Sequence, residues 1–147
     1  MEKNNIVICC CKNWCQKNIT FEKNIKKKFK FIYLNKKKDL TTLSKYKPKY
    51  IFFIHWSFKI KKEIYEKYDC VIFHMTDLPF GRGGSPLQNL LLLNKNSTKI
   101  SAFKCNNIID GGPIYLKKNL ALKGSADDIF NNMKKIINNM IKEILLK

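Results

Sequence analysis

The apolar residues of this chain come in short continuous runs separated by lysine-rich stretches. "NIVICCC" (5–11) is apolar without alternation, the pattern of a strand buried on both faces. "FKFIYL" (29–34), "YIFFIHW" (50–56) and "CVIFH" (70–74) repeat it. "TKISAFKC" (98–105) and a run inside "GPIYLKKNLAL" (112–122) predict two further strands. Helical segments fall between them. Residues 14–28 are weakly patterned and lysine-heavy, and 39–46 stop before Pro48. Residues 59–68 place Ile60, Ile64 and Tyr68 on one face, and 85–93 open with Ser85 as N-cap and Pro86 in the first turn. The clearest helix is 125–146. Ser125 and Asp128 form an approximate capping box there, and Ile129, Met133, Ile136, Ile137, Met140 and Ile144 make an apolar stripe. Strands alternating with helices predict an α/β fold, Rossmann-like, with a mostly parallel central sheet flanked by helices. No linker or internal repeat interrupts the pattern, so residues 1–147 are expected to form one compact domain.

Composition narrows the picture. No apolar run approaches the roughly 18–20 residues that span a bilayer, and the N-terminus lacks a signal-peptide pattern. The expectation is a cytoplasmic protein with no membrane partner. The formal charge is +18, yet 28 of the 29 basic residues are Lys and one is Arg. Chains that grip phosphates and read bases favour the bidentate fork of Arg. The Lys are also scattered widely along the chain, alongside 16 Asn. The excess therefore reads as mutational bias, and no specific nucleic-acid partner is expected. Its field would still draw in anionic substrates. Six Cys stand at 9, 10, 11, 15, 70 and 105, without the paired spacing of a zinc site. They are expected to be buried, unpaired thiols, with no metal bound.

One stretch departs from the chain's average. "FHMTDLPFGRGGSPLQN" (73–89) holds a His, an Asp, two Pro, three Gly and the single Arg. It begins at the C-terminal end of a predicted core strand and runs through a loop into a helix. In open α/β sheets that edge is where ligands bind. His55 and Trp56 end the preceding strand at the same edge, and the loop "IIDGGP" after 98–105 brings Asp110 there. Three polar groups from separate parts of the chain are expected to converge. Plain structural roles exist as well: Asp77 can cap the turn before Pro79, and Gly83–Gly84 can simply turn the chain into the helix.

"HMTDLPFGRGGSPLQ" resembles the His-x-Ser-x-Leu-Pro-x-x-x-Gly signature of the folate-dependent N-formyltransferases, and "NNIIDGGPIYLKKNLALKGSADDIF" resembles that family's second, Asp-x-Gly signature. The resemblance covers roughly residues 50–146. It implies formyl transfer from 10-formyltetrahydrofolate to an amine, with His74 and Asp110 as catalytic residues. Amine attack on a formyl carbon builds an oxyanion, which needs donors, and protons must pass from the amine to the leaving nitrogen. The family's pterin site would fall on His55, Trp56 and Ser57, with Asp110 also in contact. Arg82, Gly83 and Gly84 would face the substrate, the Arg fork holding a phosphate or carboxylate. One position departs. The family's Asn, two residues before its His, is Ile72 here. His55, Asn89 and the backbone N–H groups of Gly83–Gly84 are the candidate replacements, left open. His74, as a strand-end residue, is expected to be partly exposed. The chain is short for the family and ends in its long helix. This favours a small phosphorylated acceptor, such as an amino sugar nucleotide, over methionyl-tRNA. A catalytically degenerate folate-fold or nucleic-acid-binding protein is the non-enzymatic alternative.

Overall fold

Six strands form one sheet, as described by a computed structural model covering residues 2–147. They are β1 (Asn4–Cys10), β2 (Phe29–Leu34), β3 (Tyr50–Ile54), β4 (Asp69–His74), β5 (Ser97–Lys104) and β6 (Ile114–Ala121), in the spatial order β2-β1-β3-β4-β5-β6. The first four pair in parallel; β5 and β6 are antiparallel additions at one edge. The mostly parallel α/β architecture read from the sequence is present.

The unalternating apolar runs are explained by layers on both faces. Along β1, Ile6, Ile8 and Cys10 face one core, while Val7 and Cys9 face the other. The first core is closed by α6 (Ala126–Leu145), whose Met133, Ile137, Met140 and Ile141 are fully buried. Each such side chain contributes on the order of 1.5–3 kcal/mol by leaving water. The second core is closed by α3 (Leu43–Tyr46) and α4 (Lys62–Lys67), through Leu43, Tyr46 and Ile64. The capping box of α6 forms as read: Ser125 Oγ accepts from the Asp128 N–H, and Asp128 accepts from the Ser125 N–H.

Three local expectations are corrected. Residues 14–28 are two short helices, α1 (Cys15–Asn18) and α2 (Lys23–Lys28), because Ile19 and Phe21 between them turn into the core. Residues 39–46 begin as a tighter 3-10 turn, Lys37–Thr42, before α3. Ser85 precedes α5 (Pro86–Leu92) in the left-handed region at φ 53°, so its side chain makes no capping bond. The cysteines also differ from expectation. Cys10 and Cys15 form a disulfide across the end of β1, while Cys9, Cys11, Cys70 and Cys105 stay free. Burial raises the pKa of Cys9 and Cys70, and pushes Cys105 up to about 11 with help from the Asp110 charge. No helix among the described residues is long and apolar enough to cross a membrane, and no cluster of metal-binding side chains occurs among them.

Candidate active site

The loop after β4 is anchored before it reaches the cavity. Ser101 Oγ of β5 donates to the Thr76 carbonyl at 2.7 Å, and Lys117 Nζ of β6 donates to both Asp77 Oδ1 and the Leu78 carbonyl at 2.6 Å. The Lys117 bond holds the Asp77 carboxyl below the usual carboxylate range. Asp77 is thus a structural anchor. Gly81, at φ 70°, lets the chain fold back onto Thr76. The loop after β5 is held as tightly. The Lys104 N–H donates to the Pro113 carbonyl at 2.8 Å, and a Cβ at Gly112 would overlap the Lys104 carbonyl oxygen.

These two anchored loops bring His74 and Asp110 together. His74 Nε2 lies 2.7 Å from the Gly81 carbonyl oxygen. That oxygen only accepts, so Nε2 carries the proton and Nδ1 is left with its lone pair. Nδ1 faces Asp110 Oδ2 across 3.7 Å. Asp110 sits in the left-handed region at φ 50°, and its Oδ2 accepts the Gly83 N–H at 2.8 Å. His74 is 7% exposed, deeper than a strand-end residue was expected to be, because the returning loop covers its ring.

A cavity of about 520 Å³ opens beside this pair, at the C-terminal edge of the parallel strands. That volume suits a ligand of cofactor size. Of the expected residues, His55, Trp56, Ser57, Gly83 and Gly84 line it with His74 and Asp110. Ile72 lines it too, with no polar group to offer. Asn89 stands outside the lining, its amide directed to the Gly84 carbonyl at 3.4 Å. Arg82 is exposed, outside the lining and without an ion-pair partner among the described residues; its guanidinium lies beside Gly111. His55 is in the left-handed region at φ 47°, its ring edge-on to Trp14 at 5.7 Å and tilted to Phe130 at 6.4 Å. Burial, reinforced by the Lys12 charge, lowers its pKa. His55 Nε2 and Trp56 Nε1 are both buried without a hydrogen-bond partner.

Three lining residues escaped the sequence reading: Lys12, Trp14 and Phe130. Lys12 and Trp14 follow β1, so the same strand-edge argument applied to them. Phe130 comes from the first turns of α6, and nothing local in the sequence marks it.

The fold has counterparts among known proteins. A methionyl-tRNA formyltransferase structure from Clostridium thermocellum superposes with a TM-score of 0.91 at 47% identity, covering 97% of this chain and 65% of that one. The methionyl-tRNA formyltransferase of Kosmotoga olearia is 30% identical over 116 residues, 78% of this chain and 37% of its own. The chain belongs to the folate-dependent formyltransferase family. A phosphoribosylglycinamide formyltransferase structure from Bacillus halodurans shares the fold over 98% of this chain, with a TM-score of 0.73 at 11% identity. No family model matches this formyltransferase-like chain. It spans about a third of the length of the curated relatives it matches, 37% and 30% for two of them.

Proposed function

We propose that this protein transfers a formyl group from 10-formyltetrahydrofolate to a primary amine. The observation that carries the reading is the meeting of His74 and Asp110, from two separately anchored loops, at the edge of a ligand-sized cavity. The residues fit the folate. His55, Trp56 and Ser57 line the cavity, and the buried His55 Nε2 and Trp56 Nε1 have no protein partner. When bound there, the folate supplies an activated formyl carbon.

His74 Nδ1 is placed to take the proton of the attacking amine, since Nε2–H is committed to the Gly81 carbonyl. The Asp110 carboxylate stabilises the resulting imidazolium across 3.7 Å. As the new C–N bond forms, the carbonyl electron pair moves onto oxygen. When the pair returns, the bond to the folate nitrogen breaks, and the proton held by His74 passes to that nitrogen. The Gly83 N–H keeps Asp110 oriented throughout.

The acceptor we favour is a small phosphorylated amine, such as an amino sugar nucleotide, drawn in by the +18 field and met by Lys12 in the cavity lining, with Arg82 exposed on the neighbouring loop. A second reading, methionyl-tRNA, is favoured by the names of the 47% and 30% identical relatives. Purified protein with 10-formyltetrahydrofolate and a panel of amino sugar nucleotides, small amines and methionyl-tRNA separates them by formyl incorporation. His74→Asn and Asp110→Asn are expected to lower turnover by on the order of 10²-fold or more, with the folded signature in circular dichroism retained. Full turnover in His74→Asn would remove the assignment.

A further inference from the structure

Ile72 leaves the developing oxyanion without the side-chain amide that the first signature would otherwise present two residues before His74. Two candidate substitutes are engaged elsewhere, while the Gly84 N–H stays in the cavity lining as a competing donor. The Gly83 N–H is already committed to Asp110, and the Asn89 amide points to Gly84 from outside the cavity. His55 packs its ring between Trp14 and Phe130 on the α6 side of the sheet, whereas Ile72 packs on the other side.

Trp56 lines the same cavity as Ile72 and packs on the same side of the sheet. Its ring stands edge-on to Phe53 at 5.8 Å, and Phe53 is the β3 partner of Ile72 on β4. Trp56 and Ile72 pack against the same core cluster. His74 lies two residues beyond Ile72, so the strand period puts it on that face as well. The indole Nε1–H is a donor only, and a protein acceptor is lacking although the atom is buried. A change of tautomer cannot relieve such a group; a ligand entering the cavity that Trp56 lines is one source of an acceptor.

We propose that the Trp56 indole N–H is the donor that stabilises the formyl oxygen during transfer, in place of the side-chain amide absent at Ile72. This rests on the formyltransferase reading of the site. As the amine nitrogen bonds to the formyl carbon, the carbonyl pair moves onto oxygen and the indole bond shortens. When the pair returns, the folate nitrogen leaves with the proton delivered through His74. Trp56 is then a catalytic residue, and its contribution grows with charge on oxygen rather than with folate binding.

The test is Trp56→Phe, which keeps an aromatic ring and removes the N–H. Turnover is expected to fall on the order of 10²-fold. The dissociation constant for 5,10-dideazatetrahydrofolate, which carries no formyl group, should stay within about twofold. Ile72→Asn added to Trp56→Phe should restore much of the lost turnover, which a merely structural loss would not allow. In the native protein, the indole 15N–1H resonance of Trp56 should move on adding 10-formyltetrahydrofolate and not on adding the dideaza analogue. Unchanged turnover in Trp56→Phe overturns the proposal. So does weakened analogue binding with turnover intact, which would make the indole a pterin contact. Should Trp56→Phe fail to fold, the resonance decides: equal shifts with both folates overturn the proposal. A native protein that neither binds the analogue nor transfers formyl to any amine defeats the formyltransferase reading itself, and this inference with it.

Discussion

His55 shows how one residue reports on the whole cavity. Its backbone takes the left-handed region, its ring is packed between Trp14 and Phe130, and its pKa is lowered below the ordinary imidazole value of 6.5. The unfolded chain therefore binds a proton more readily than the folded one. The stability this neutral ring permits is whole above the ordinary value and is lost as pH falls below it towards the folded pKa. The urea midpoint is expected to be lower at about pH 5.5 than at about pH 7.5, well above the range where carboxylates titrate. His55→Asn, a residue that tolerates positive φ, should narrow that difference. An equal fall in both proteins would place the pH dependence elsewhere. The His55 position at the strand edge follows from the sequence; its packing does not, because Trp14 and Phe130 arrive from segments distant along the chain.

At the scale of elements, the long helix α6 is the best-specified part of the molecule. Its stripe, its start and its capping box all follow from local spacing, and its burial follows from the stripe. Ser125→Ala removes the acceptor for the Asp128 N–H. It is expected to cost about 1 kcal/mol, read as a lowered denaturation midpoint with an unchanged slope. No change in midpoint would mean that packing alone holds the first turn. α5 makes the contrast. Ser85 and Pro86 carry the same kind of start signal, but the Gly83–Gly84 approach delivers Ser85 in a left-handed conformation and the cap is not used. Residues 14–28 were misread for a related reason. Their lysine spacing permits a helix, yet burying Ile19 and Phe21 against the sheet outweighs a few weak helical turns.

For the molecule as a whole, the charge is the property most open to misreading. With 28 Lys spread along the chain outside residues 68–94 and one Arg, binding to duplex DNA or tRNA by charge alone is expected to be weak. Its log-affinity should fall with log salt by about 0.9 per phosphate contact on a duplex, fading near physiological salt. Single Lys substitutions should barely alter it. Arg82→Lys should raise KM for the amine acceptor while leaving nucleic-acid affinity alone. Tight, salt-resistant tRNA binding that is lost in Arg82→Lys would instead make methionyl-tRNA the acceptor.

Sequence alone determined the layers and the edge. Apolar runs without alternation mean strands covered on both faces, and a parallel core sheet carries its ligands at the C-terminal edge, so His74, Asp110, His55 and Trp56 could be assigned to one place. Tertiary structure alone decided what happens there. The depth of His74 depends on a loop returned by Gly81 and held from β5 and β6, and its distance to Asp110 depends on Gly112 lying flat against Lys104. The Cys10–Cys15 bond and the opposite turns of His55 and Trp56 likewise depend on side chains meeting across the fold. Local spacing carries information about burial and turns, because those depend on neighbours in sequence. The partner of a polar group depends on neighbours in space.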